Sequence, residues 1–120
     1  MAFAAPTLDL LARTSVVDVE TTSPKGRVHR VPIWVVVDGE DVFVRSYLGA
    51  SARWYREILA RPGALVAGRT RIAVRAISAT DARSKRRTTL GFKSKYRSGS
   101  SRDAMVRRSV LDTTLRLEPA

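Results

Sequence analysis

The stretch "HRVPIWVVVDGEDVFVRSY", residues 29 to 47, constrains the fold more than any other part of the chain. Two β-branched and aromatic runs flank Asp38-Gly39, a dipeptide that tolerates the positive φ a tight hairpin requires. On the first run His29, Val31, Ile33, Val35 and Val37 share one face; Arg30, Pro32, Trp34 and Val36 share the other. Both faces are apolar at the centre, so this strand is expected to be covered on both sides. On the second run Val42, Val44 and Ser46 oppose Phe43, Arg45 and Tyr47.

The flanking sequence extends the sheet. "SVVDVETTS" alternates, with Val17 and Val19 opposite Asp18 and Glu20, the pattern of a half-exposed strand. "ALVAG" and "RTRIAVRAIS" give two more strands, with Ile72, Val74 and Ala76 inward; "TTLRLEP" closes the chain with another. "PTLDLLART" reads as a short helix with Leu8, Leu11 and Ala12 on one stripe. "SARWYREILARPG" reads as a second helix, capped by Ser51 and ended by Pro62-Gly63. Its expected apolar face is Trp54, Tyr55, Ile58 and Leu59, with Arg53, Arg56, Glu57 and Arg61 facing water. Residues 79 to 110 carry ten of the 22 Lys and Arg residues and are expected to form helix, loop and short helix, with Gly91 and "SGSS" as interruptions. The crossovers that a parallel sheet needs are mostly missing. A mainly β fold follows: a six-stranded antiparallel barrel with peripheral helices, which leaves no exposed edges. At 120 residues a single domain, 1–120, is expected, with 79–110 as a basic insertion before the last strand.

Composition narrows the chemistry. Without cysteine there is no thiolate catalysis, disulfide or zinc–sulfur site. One histidine and no metal-binding motif lead to the expectation of no bound metal. The N-terminus lacks the basic and apolar regions of a signal peptide, no apolar run is long enough to span a bilayer, and a cytoplasmic location is expected. A formal charge of +11 favours an anionic partner: nucleic acid, a phosphorylated cofactor or an acidic small molecule.

"GRVHRVPIWVVVDGEDVFVRSYLGASARWYREILARPGALV", residues 26 to 66, resembles the core of the split β-barrel flavin-binding superfamily. That superfamily includes pyridoxamine-phosphate-oxidase-like proteins and deazaflavin-dependent nitroreductases, as well as non-catalytic and haem-binding members. The chain end, "GFKSKYRSG…TTLRLEP", resembles more closely a small member family of unassigned function, and the likeness spans residues 15 to 119. "TTSPKGRVHR" only approximates the phosphate loop of the best-defined deazaflavin enzymes.

The resemblance implies a homodimer with FMN or a deazaflavin (coenzyme F420) in the groove between subunits. It places "HRVPIW" beneath the ring system, with Pro32 and Ile33 in contact through backbone. It gives Arg27, His29 and Arg30 to the cofactor phosphate, and Arg45 and Ser46 to the phosphate or ribityl chain. Trp54 falls in the core beside the cofactor. Tyr96, the one tyrosine of the C-terminal half, takes the position of a substrate-side proton donor or gate. The function implied is a flavin- or deazaflavin-dependent oxidoreductase acting on a small organic molecule. The alternative is a split barrel without a redox cofactor that binds a hydrophobic small molecule. Nucleic-acid binding, through "RSKRRTTLGFKSKYRSGSSR" with Phe92 and Tyr96 stacking on bases, ranks third for want of a recognised motif.

Overall fold

The computed structural model describes residues 2–120. Helix α1 (Ala5–Arg13) precedes β1 (Val16–Thr22), β2 (Val28–Trp34), β3 (Val36–Asp38) and β4 (Asp41–Val44). Helix α2 (Arg53–Ala60) leads into β5 (Gly63–Ala67) and β6 (Thr70–Ser78). Helices α3 (Ala82–Lys95) and α4 (Ser100–Val106) and a 3-10 turn (Arg108–Thr113) then precede β7 (Leu115–Pro119).

All strand pairs are antiparallel, in the order β2-β1-β5-β6-β7-β4-β3. The two ends of that order are consecutive in the chain, joined through Val35 alone. One strand, broken at Val35, therefore forms both ends of the sheet, and the sheet must curl to let it do so. Hydrogen bonding gives seven strands where the sequence predicts six, because the break divides the predicted first strand of the hairpin. Pro32 is tolerated because β2 ends the sheet, so one of its sides needs no ladder donor. The β3–β4 turn is Gly39-Glu40, with φ +63 at Gly39 and no positive φ at Glu40, the pattern of a type II′ hairpin.

The barrel interior is filled by Val17, Val19, Val35, Val42, Val44, Leu65, Val74 and Leu115, capped by Leu11 of α1 and by Trp54, Tyr55 and Ile58 of α2. A second cluster lies where α3 and α4 pack on β3 and β4: Val36, Phe43, Ala79, Phe92, Tyr96 and Met105. Arg87 of α3 fastens that layer by reaching both Asp38 and Asp41 across the hairpin, and its guanidinium lies over the Phe43 ring. The two carboxylates hold the Arg87 guanidinium above its usual pKa.

Several sequence expectations need correction. The outer face of β2 is not covered: Arg30 and Pro32 are exposed. Ala12 is exposed, and Leu10 joins Leu8 against the core instead. Helix α2 begins after Ala52, with no side-chain cap from Ser51. Its buried face is turned by one position, so Glu57 is buried and Leu59 exposed. Gly91 does not interrupt the basic segment. It lies inside α3, where an added Cβ would come within 2.1 Å of Val36 Cγ1.

Gly91 is thus a close-approach residue. Alanine gains about 1 kcal/mol of helix propensity, but overpacking a buried site costs about 1–3 kcal/mol. Val36 is 1% exposed and cannot swing aside, so the clash wins. Gly91→Ala is expected to destabilise by about 1–2 kcal/mol in denaturant unfolding. In a Val36→Ala background the same change is expected to be neutral or stabilising.

Candidate functional site

The broken strand is held open by side chains from the end of α3. The Val35 N–H donates to the Tyr96 hydroxyl at 3.1 Å, and that hydroxyl donates to the Ser15 carbonyl at 2.6 Å. Lys95 Nζ donates to the Val35 carbonyl at 2.7 Å and to the Leu11 carbonyl in the last turn of α1 at 2.9 Å. Both polar groups of a buried backbone residue that belongs to neither half of the strand are thereby satisfied. Burial pushes the Tyr96 phenol up to about 12, and pushes the Lys95 ammonium down to about 8.

The Lys95 shift has a defined pH signature. Between about pH 8 and the ordinary lysine range near 10.5, the unfolded chain binds more protons at Lys95 than the folded one. Stability therefore rises with pH across that window. In unfolding experiments from pH 7.5 to 10.5 the stability of the native chain is expected to gain on that of Lys95→Met.

On the other side of Trp34, which stacks on Tyr96 at 3.9 Å between ring centroids, lies an apolar groove. Its volume is about 510 Å³, within the range of small-molecule sites. One wall is β2, through Val31, Pro32, Ile33 and Trp34; the others are Leu48, Trp54 and, from α4, Ser101 and Met105. The mouth is open, with Leu48 73% and Tyr47 52% exposed.

Arg45 backs the groove but is 1% exposed. Nε donates to Thr114 Oγ1 at 2.8 Å and Nη1 to Thr89 Oγ1 at 2.9 Å and the Met105 carbonyl at 3.1 Å. Nη2 donates to the Lys85 carbonyl at 2.7 Å. Four of its five donors are thus engaged within the chain. No carboxylate faces it, and burial lowers its pKa to about 10. Ser46 is also enclosed: its hydroxyl donates to the Gly49 carbonyl and its N–H to Thr113 Oγ1.

A second hollow adjoins the groove through Arg53, which lines both. Its other walls are Ser23, Lys25, Gly26, Arg27, His29 and Glu57. Buried Glu57 accepts from Thr21 Oγ1 at 2.7 Å and faces His29 Nδ1 at 3.3 Å. Burial alone would raise the Glu57 pKa. The bonds from Thr21 and His29, with the field of Arg53, outweigh it and hold the carboxylate below its ordinary value. Its charge offsets part of a hollow that otherwise presents Lys25, Arg27 and Arg53.

The structure thus gathers Pro32, Ile33, Arg45 and Trp54 around the groove, and Arg27 and His29 around the hollow. It leaves Arg30 on the outer surface, paired with Glu20, and Tyr96 behind Trp34. Helical spacing puts Arg53 on the solvated face of α2. Its position at the first turn of α2, straight after the small-residue loop "GASA", was the available signal. Nothing in the sequence marked Ser101 and Met105. Among the described residues no group of three His, Asp or Glu side chains could hold a metal ion, and no helix is long and apolar enough to cross a membrane.

Residues 7–117 match the family model described as "Uncharacterized protein conserved in bacteria (DUF2255)". The chain belongs to the DUF2255 family. None of the curated proteins matches it. Among solved structures, this DUF2255 chain is similar to a provisionally assigned pyridoxamine 5′-phosphate oxidase from Listeria innocua, with TM-score 0.66 and 15% identity over 95% of this chain and 90% of that one. It is similar to the FAD binding protein from Mycobacterium smegmatis, with TM-score 0.66 and 14% identity over 100% and 92% of the two chains. It is also similar to an F420 reductase, with TM-score 0.55 and 18% identity over 93% and 91%. At these identities the likeness establishes the fold: the DUF2255 chain is a split barrel of the pyridoxamine-phosphate-oxidase type.

Proposed function

We propose that the chain binds a flavin or deazaflavin, FMN or coenzyme F420, and serves as an oxidoreductase for a small organic molecule. The observation that carries this reading is the junction at Arg53 of an apolar groove with a cationic hollow. A planar ring system suits the first, between Pro32 and Ile33 on one side and Trp54 on the other. An anionic tail suits the second, where Lys25, Arg27, His29 and Arg53 converge. A bound flavin or deazaflavin supplies the hydride transfer, so the protein need only bind, orient and exclude water. The internal engagement of Arg45, Ser46 and Tyr96 supports assigning them to the frame of the site. Fold relatives that bind FAD or are named for F420 support the cofactor class. The reading includes a cytoplasmic homodimer, in which a second copy covers the open mouth at Tyr47 and Leu48.

Equilibrium dialysis against FMN and F420 separately tests it. Arg53→Ala is expected to weaken binding of the cognate cofactor about 10- to 100-fold, the loss of one charge-assisted contact. Unchanged affinity in that variant would contradict the placement of the tail.

A second reading has one observation in its favour. Arg45, the cation that backs the groove, has four of its five donors engaged within the chain, and most of the residues that line the groove are apolar. A hydrophobic small molecule bound without redox chemistry fits that lining. Saturable binding of an apolar dye in the groove, with no binding of either cofactor, would select it.

A further inference from the structure

Helix α3 carries three exposed cations on one face, Arg83, Arg86 and Lys93, that the fold does not use. At 100° per residue, Arg83, Arg86, Leu90 and Lys93 fall within about 80° of arc on this helix. All four are exposed, and so is Arg97, the second residue past the helix end. The opposite face, with Thr88 and Phe92, is buried against the barrel. The other cations of this helix are spoken for: Lys85 pairs with Asp112, Arg87 with Asp38 and Asp41, and Lys95 with backbone carbonyls. None of the stripe cations is in an ion pair among the described residues. Asp81, which caps the helix and feels the field of Arg83, is occupied in accepting from the Ser84 N–H.

Phe92 and Tyr96 are buried, so neither can stack on a base as the sequence suggested. What remains is a straight row of cations with one small apolar interruption at Leu90. From Arg83 to Lys93 the row runs about 15 Å, the axial rise of about four or five phosphates on one strand. A membrane surface fits less well, because the apolar face of α3 is committed to the barrel and cannot insert.

From this row we infer that the exposed face of α3, through Arg83, Arg86, Lys93 and Arg97, is a docking surface for the phosphodiester backbone of nucleic acid. Contact is to phosphates only, so binding is independent of base sequence and steep in salt. This surface stands apart from the groove, and the inference does not depend on the cofactor.

Fluorescence anisotropy with labelled 20-base-pair DNA and RNA duplexes of arbitrary sequence, from 50 to 200 mM salt, tests it. Saturable binding to at least one duplex is expected, with a log–log salt slope of about −3 to −4 for four phosphates on DNA. The triple variant Arg83→Gln, Arg86→Gln, Lys93→Gln is expected to lose at least tenfold in affinity at 50 mM salt. A control that removes the same charge elsewhere, Arg13→Gln, Arg69→Gln, Arg75→Gln, is expected to stay within about twofold. These residues are exposed, and circular dichroism checks that each variant is folded. No binding to either duplex would overturn the inference. So would equal losses in both variants, or binding to phosphatidylserine vesicles in place of the duplexes.

Discussion

Arg45→Ala is expected to lower the unfolding free energy by about 3–5 kcal/mol, a large part of the roughly 5–15 kcal/mol that holds a domain together. Arg45, the residue after β4, reaches Thr89 and Lys85 of α3, Met105 of α4, and Thr114 between the 3-10 turn and β7. Truncation takes a donor from two hydroxyl oxygens and two carbonyls and opens a cavity at a site 1% exposed. Two variants separate these causes. Arg45→Met keeps the volume, removes the penalty for burying a cation, and is expected to cost less than alanine. Arg45→Lys keeps the charge but cannot reach four acceptors set around a planar fork, so it is expected to fall between the native chain and alanine. Urea unfolding of the four proteins gives the order. A native-like stability for Arg45→Ala would mean that this network contributes nothing.

Tyr96→Phe is expected to cost about 2 kcal/mol and to lower the melting temperature by about 8 °C. The ring, its stack on Trp34 and its packing on Phe92 remain. The hydroxyl alone goes, and with it the acceptor for the N–H of Val35, which is 0% exposed. Ser15 is exposed, so its carbonyl recovers a water partner and adds little. The same variant distinguishes the two roles open to Tyr96. A frame residue loses stability and keeps cofactor affinity. A residue acting on substrate would keep stability and lose turnover. Calorimetry and cofactor titration on one preparation decide between them.

The barrel was legible because its signals are local. The alternation of Val17 and Val19 against Asp18 and Glu20 and the inward set Ile72, Val74 and Ala76 each report a face of a strand, and the structure places them so; the Asp38-Gly39 signal marks the hairpin, whose turn is Gly39-Glu40. The groove wall at Pro32, Ile33 and Trp54 came from the family resemblance, which locates a segment without settling what its side chains meet. What stayed hidden depends on contacts far apart in the chain. Arg45 finds its partners 40 to 69 residues away, and Tyr96 meets Val35 at 61 and Ser15 at 81. A cation beside a flavin-type groove and a cation saturated by carbonyls look the same in a sequence. Glu57 was misplaced for a related reason: helical spacing gives a stripe about 100° wide, and only Thr21 and His29 opposite reveal that the carboxylate lies inside it. Gly91 read as a break because a close helix–strand approach leaves no mark except the absent side chain.

The chain has two tryptophans, Trp34 and Trp54, and both line the groove. Intrinsic fluorescence therefore reports on that site without a label. Titration with FMN and, separately, with coenzyme F420 is the direct test of the proposed function. Saturable quenching by one of them, accompanied by a shift in its absorption and weakened in Arg53→Ala, is the predicted result. Unchanged fluorescence and absorption with both cofactors to millimolar concentration would contradict it.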